Sequence, residues 1–336
     1  MRQLTLDVEV TRGETVESRH RVHAAVIEGE QLIASARDAH LVTMWRSCAK
    51  PFQVMPFLTS GGFDSLSWGT EELALACASH GGEPEHLVVA GRMLASIGLE
   101  EGDLACGPHE PLSGRGSKLW RESGQPLTRL HNNCSGKHAA MLARAHSMNW
   151  QTRGYERAEH PVQLSCLGEV ASWTGVPIDD MRIAVDGCGV VVMALPLDRM
   201  ALAYARLGAA IVEGDEMPRR IAEAIRAHPK LLGGCERFDT VLLQETQGRV
   251  IAKVGAEGVH TVMVPERGIG FAVKAEDGAL RAQHAAVIEV LRVLEVLPPE
   301  PEMPTKLAEF LHKALKNTRG EVVGEVRIGD ERRGEL

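Results

Sequence analysis

Apolar and polar positions alternate from the start of the chain. In "LTLDVEV" every second side chain is apolar, the period of a strand with one face buried. Two apolar runs in "VHAAVIEGEQLIASA" flank Glu28-Gly29-Glu30 and predict a hairpin. The period then changes. "TEELALACASHGG" has helical spacing, with Thr70 as N-cap, two acids in the first turn and an end at Gly81. "EPEHLVVAGRMLASIG" carries Pro84 near its start and Gly98 past its end, the asymmetry of a helix. "SGKHAAMLARAHSM" and "PVQLSCLGEVASWTG" are further helices. From Arg182, "RIAVDGCGVVVMALP" reads as two apolar runs around a glycine-flanked turn, and "MPRRIAEAIRAHP" as a helix closed by Pro229. "GRVIAKVGAEG" and "HTVMVPERGIGFAVKAEDG" are β-rich, with Asp277-Gly278 as a turn. A helix in "ALRAQHAAVIEVLRVLEVL", a last helix over about Thr305 to Lys316 and an edge strand in "EVVGEVRIG" complete the pattern. Strands at both ends around a helical middle (about 47–175) predict an α/β fold of the layered α+β kind. Its mixed sheet is flanked by a helical region, and residues 1–336 form a single catalytic unit.

Composition narrows the partners. The formal charge of -8 and the lack of a basic stripe argue against nucleic acid, because phosphate neutralisation needs a basic face. No run approaches the roughly 20 apolar residues of a membrane span. The N-terminus has no apolar signal core, and the seven cysteines are odd in number and scattered. Together these predict a soluble cytoplasmic protein with reduced thiols. Aromatic residues are only 4%, so the core must rest on Ala, Val, Leu and Ile.

The candidate chemistry begins at "RSCAKPFQ". Pro51 is tolerated in a helix only in the first turn, where N–H groups have no intrahelical acceptor, so the helix starts at about Ser47 to Lys50. The i and i+3 positions let the Lys50 amine reach the Ser47 hydroxyl, and a lysine can serve as the base a serine nucleophile needs. The plain alternative is an N-cap serine beside a surface lysine. In "CASHGGE", Ser79 and His80 fall at a helix end before two glycines, where backbone can approach a ligand; a simple C-cap explains the same string. "AKVGAEG" puts Lys253 in a strand, and the order Ser47-x-x-Lys50, Ser79-x-Gly81, Lys253-x-Gly255 echoes the SxxK, SDN and KTG roles of penicillin-recognising serine enzymes, with different spelling. In "HNNCSGKHAA", Cys134, Lys137 and His138 share one helix face, and Cys188 lies in the tight turn of "VDGCGV". Two thiolates and a nitrogen can hold zinc with water in the fourth position; two buried free cysteines, or a disulfide, are the alternatives.

At these residues the chain resembles the Rhizobium-type (class 3) L-asparaginases. The strings "RSCAKPFQ", "CASHGGE", "HNNCSGKHAAML", "VDGCGV", "HP…GG…RFDT", "AKVGAEG" and "GIGFAVKAEDG" come in that family's order, from about Arg46 to Gly278. The resemblance implies a serine-β-lactamase/glutaminase-like fold, a homodimer, and hydrolysis of L-asparagine to L-aspartate and ammonia. It pairs Ser47 with Lys50 and Ser79 with Lys253, and makes Cys134, Lys137 and Cys188 ligands of one zinc per subunit that supports substrate binding. Arg46, His138 and Asp186 fall where the family holds or frames its substrate. Gly82 after Gly81 is a departure expected to loosen the loop carrying Ser79, and Cys235 is an extra thiol without a place. Two other readings stay open: an amidohydrolase attacking through zinc-bound water, and a non-catalytic amino-acid-binding relative of the penicillin-recognising enzymes. Loss of hydrolysis on chelation marks the first, and ligand binding without turnover the second.

Overall fold

A computed structural model describes residues 1–329. The chain divides into two compact units. One comprises Met1–Thr43, Pro196–Gly208 and the described part of Glu245–Leu336; the other comprises Met44–Leu195 and Ala209–Gln244.

The first unit is built on sheets. The hairpin predicted at Glu28-Gly29-Glu30 forms, joining Val22–Glu28 to Gln31–Ala36. These strands sit inside a six-stranded sheet in the order Arg2–Gln3, Gln31–Ala36, Val22–Glu28, Ile269–Ala275, Val259–Val264, Ile251–Val254. The sheet is mixed, because Arg2–Gln3 pairs parallel with Gln31–Ala36 and its other four strand pairs run antiparallel. Val259–Val264 and Ile269–Ala275 are buried along their whole length, as expected of interior strands covered on both faces. The helix Leu280–Val293 packs on strands of this sheet and of a second, four-stranded one. It buries Ala282, Ala285, Ala286, Val287 and Ile288, small and branched side chains that allow close packing.

The second sheet corrects the reading of the chain's end. Its order is Lys313–Lys316, Val322–Ile328, Val8–Arg12, Thr15–His20. The last helix therefore stops at Leu311, and the segment expected to continue it to Lys316 is a strand. Val322–Ile328, expected at an edge, is interior, because Val8–Arg12 takes its second side. Lys313–Lys316 becomes a strand by pairing with its neighbour Val322–Ile328, and that strand is interior through residues from the opposite end of the chain, of which the local pattern carries no trace.

The second unit is mostly helical, as the middle of the sequence predicts. Lys50–Thr59, Thr70–Ala76, Pro84–Ala95, Ser135–Ser147, Pro161–Thr174 and Glu216–Ala227 are its main helices. Arg182–Val185 and Val191–Pro196 form the antiparallel pair expected around the glycine-flanked turn. The fold is α+β with layered sheets and helices. Among the described residues no helix is long and apolar enough to cross a membrane.

Candidate active site

"RSCAKPFQ" folds as a 3-10 turn, Arg46–Ala49, running into the helix Lys50–Thr59. Pro51 occupies the first helical turn, as its missing N–H demands, and the helix ends one turn past Pro56. Trp45 anchors the turn: it is fully buried, its ring lies 5.0 Å from the Phe52 ring, and its backbone N–H donates to the Met193 carbonyl at 2.9 Å. Arg46 is held at φ 54, a left-handed conformation uncommon for a residue with a Cβ. In that conformation its Nε donates to Asp186 Oδ1 at 2.7 Å, so the two residues expected to frame a substrate meet each other.

Lys50 is almost completely buried, and its amine turns toward the second serine. Nζ donates to the Ala78 carbonyl and, at 3.1 Å, to Ser79 Oγ. The i and i+3 spacing suggested Ser47 as its partner. Ser47 is instead half-buried on the preceding turn, with its carbonyl accepting the Lys50 N–H. The Ser79 segment also differs from its expected form. The helix begins after Gly69, whose N–H the Glu72 side chain caps, and it closes at Ala76 with Cys77 as C-cap. Ser79 and His80 thus lie beyond the helix, in a strip pinned by Ser79 N–H to Leu232 O and His80 N–H to Asn133 O. His80 is fully buried and stacked on His86 at 4.7 Å; burial holds its ring well below the ordinary histidine range. As a neutral ring it accepts the Gly82 N–H on Nδ1 and lies 2.9 Å from Ser135 Oγ through Nε2.

Gly82 does not loosen this loop. It sits at φ +70, and a Cβ there would come within 3.0 Å of the Pro111 backbone, so glycine is what lets the strip pack down. Glu83, next in the chain, is the anchor that the sequence reading missed. Its buried carboxylate accepts the Cys235 N–H at 3.0 Å, the Cys235 thiol at 3.2 Å and an Arg115 N–H at 2.7 Å. This gives the extra thiol its place. Glu83→Ala strands those donors and is expected to cost about 2 kcal/mol of stability, read as a lower urea midpoint at unchanged slope. An unchanged midpoint would show that the tether carries no weight.

The helix Ser135–Ser147 supplies the next group. Cys134 is its N-cap, and Lys137 and His138 lie in its first turn. The glycine of "CSGK" permits a close crossing, since a Cβ on Gly136 would stand 2.4 Å from the Leu75 carbonyl oxygen. Across from it, the turn after Arg182–Val185 presents Asp186 and Cys188. Lys137 Nζ donates to Cys188 Sγ at 3.2 Å, and Cys188 Sγ lies 3.6 Å from Asp186 Oδ2. The hydrogen bond from Cys134, with the Lys137 ammonium beside it, overrides burial and lowers the Cys188 thiol to about 5. The same bond and burial push Cys134 up to about 12. Burial opposes the Lys137 charge, but Cys188, Cys134 and Asp186 outweigh it and raise that amine.

Among the described residues no three His, Cys, Asp or Glu side chains are grouped to hold a metal. A metal here needs Lys137 as third donor. The set fits on that condition: bonds of zinc to nitrogen and sulfur imply a tetrahedral edge of about 3.6 Å, and Lys137 and Cys188 already stand 3.2 Å apart. His138 is fully buried, which lowers its ring to about 3 with Lys137 as the next cause. Its Nδ1 lies 2.5 Å from the Tyr155 hydroxyl, and its Nε2 has no partner among the described residues. Tyr155 was not anticipated; nothing in its spacing sets it apart.

One unit thus gathers Arg46, Ser47, Lys50, Ser79, Cys134, Lys137, His138, Asp186 and Cys188. Lys253 belongs to the other unit, on the strand Ile251–Val254, where it is buried and its Nζ donates to the Val254 carbonyl at 2.9 Å. A family model described as L-asparaginase II matches residues 8–328. The chain belongs to the L-asparaginase II family. The family resemblance drawn from the seven strings is thereby met, and the chain is an amide hydrolase of small-molecule substrates. No curated protein matches it. Solved structures similar to it include the crystal structure of Mglu, at 15% identity and TM-score 0.37, covering 82% of this chain and 67% of that one. A putative β-lactamase from Bacteroides dorei is similar at 10% identity and TM-score 0.39, covering 76% and 85%. The Bacillus subtilis glutaminase YbgJ, in covalent complex with 5-oxo-L-norleucine, is similar at 12% identity and TM-score 0.34, covering 80% and 87%.

Proposed function

We propose that this member of the L-asparaginase II family hydrolyses the side-chain amide of L-asparagine to L-aspartate and ammonia through a serine–lysine couple. The observation that carries the reading is the Lys50 amine held 3.1 Å from Ser79 Oγ in a buried site. In this reading Ser79 Oγ attacks the amide carbon as Lys50 takes its proton, and Lys50 returns that proton to the departing ammonia. Water then attacks the ester, losing its proton to Lys50, and the Ser79 hydroxyl is restored. The Ser79 and His80 N–H groups are occupied by carbonyls, so the oxyanion falls to other donors. The first N–H groups of the turn, Arg46 and Ser47, have no intrahelical acceptor and suit that role.

The Arg46–Asp186 pair suits an α-amino acid. A guanidinium takes the α-carboxylate in bidentate fashion and a carboxylate takes the α-ammonium, so the substrate replaces an internal ion pair with two of its own. Cys134, Lys137 and Cys188 would hold zinc, which would supply a Lewis-acid anchor for orienting the substrate. Lys253 is the lysine that the resemblance assigns to Ser79, the serine that this reading couples to Lys50. A β-lactamase/glutaminase-like ancestry, a homodimer and a cytoplasmic site complete the reading; the scattered free cysteines support the last.

Trapping the intermediate tests the assignment. Acid quenching during turnover, followed by peptide mass analysis, is expected to place the aspartyl ester on the Ser79 peptide and to show none in Ser79→Ala. An ester on the Ser47 peptide, with Ser79→Ala still acylated, moves the nucleophile to the turn before Lys50. An ester on neither serine removes the covalent route.

A further inference from the structure

Tyr155 is one of two tyrosines in the chain, and only 1% of its surface is exposed. Its hydroxyl oxygen accepts the Ala105 N–H at 2.9 Å and stands 2.5 Å from His138 Nδ1. With Ala105 on a lone pair, the phenol has its own proton left to give, and Nδ1 is placed to take it. The reverse arrangement, Nδ1–H donating to the oxygen, would strand the phenolic proton in a dry interior, the costly outcome for a buried donor. An imidazole that accepts on Nδ1 carries its proton on Nε2. That nitrogen is buried and meets no acceptor among the described residues. His138 follows Lys137 on the first turn of the helix, and its N–H is bonded to the Cys134 carbonyl, so the orphan donor belongs to the neighbourhood of the candidate site.

We propose that Tyr155 is a positioning residue that locks His138 in the Nε2–H tautomer, keeping one donor in reserve for an acceptor oxygen of the substrate. The inference rests on the asparaginase reading. It adds a rule of discrimination: an N–H at this point serves a carboxylate or amide carbonyl oxygen, and rejects an ammonium or amide nitrogen presented there. The other tautomer would invert that preference, because it offers a lone pair.

The test combines a spectrum with kinetics. In protein labelled with 15N-histidine, the His138 ring, identified by its absence from His138→Gln, is expected to show a protonated Nε2 and a bare Nδ1. Tyr155→Phe keeps the buried ring and removes the hydroxyl. It is expected to lose the single-tautomer pattern and to lower kcat/KM for asparagine about tenfold while the protein stays folded by thermal melting. The stranded Ala105 N–H lowers the melting temperature in either case, whereas a purely structural role would leave the tautomer and kcat/KM as they were. Wild-type protein with the proton on Nδ1 overturns the proposal without any variant. So does a Tyr155→Phe protein with the wild-type tautomer and kcat/KM within twofold. Wild-type protein that releases no ammonia from asparagine instead overturns the asparaginase reading, and the spectrum then decides the tautomer lock by itself.

Discussion

Lys50→Met is expected to lower kcat for asparagine about a thousandfold while changing KM little. The argument starts from burial. Lys50 is 1% exposed, and its amine is committed to the Ala78 carbonyl and Ser79 Oγ. Methionine fills nearly the same volume, so the site keeps its shape and loses only the group that moves the proton. An effect on kcat alone is the signature of an interaction made in the transition state rather than in substrate binding. Two acceptors lose their donor, so the variant is also expected to be less stable by about 1–3 kcal/mol, and the assay belongs below its melting range. Ammonia release within tenfold of wild type, from folded Lys50→Met, would falsify the serine–lysine couple.

Removing the metal is expected to act on the other kinetic constant. Protein purified with zinc should carry about one equivalent per chain, lost in Cys188→Ser, because the donor set has no spare member. Stripping it with a chelator is expected to raise KM about tenfold or more and to leave kcat within a few-fold, since the nucleophile and base are side chains. The opposite split discriminates. If chelation abolishes kcat and Ser79→Ala remains active, attack by metal-activated water replaces the covalent route. If purified protein takes up no zinc at all, the Cys134, Lys137 and Cys188 cluster is a hydrogen-bonded structural group.

Much of the site was legible because its chemistry is carried by residue types that short-range spacing marks. Pro51 dated the start of the helix, and the Cys134, Lys137 and Cys188 set stood out by composition within helix and turn signals. The partnerships were less legible. Spacing says which side chains share a face, but the buried Lys50 amine meets a strip 29 positions on. Tyr155 and Glu83 escaped for the same reason, since each earns its role only through contacts distant in sequence. In the fold, hairpins and amphipathic helices followed from local period. The strands near both ends were also read from local pattern, but the interior place of Val322–Ile328 was not, because its second partner, Val8–Arg12, lies at the opposite end of the chain.

That last pairing has a bearing on how the protein is made. Glu325 donates its N–H to Thr11, 314 positions earlier, and Val8–Arg12 is flanked on one side by Val322–Ile328. At roughly 5–20 residues per second, about 15–60 s of synthesis separate the two. Val8–Arg12 is therefore open along one edge, a template for stray strands, until Val322–Ile328 has been made.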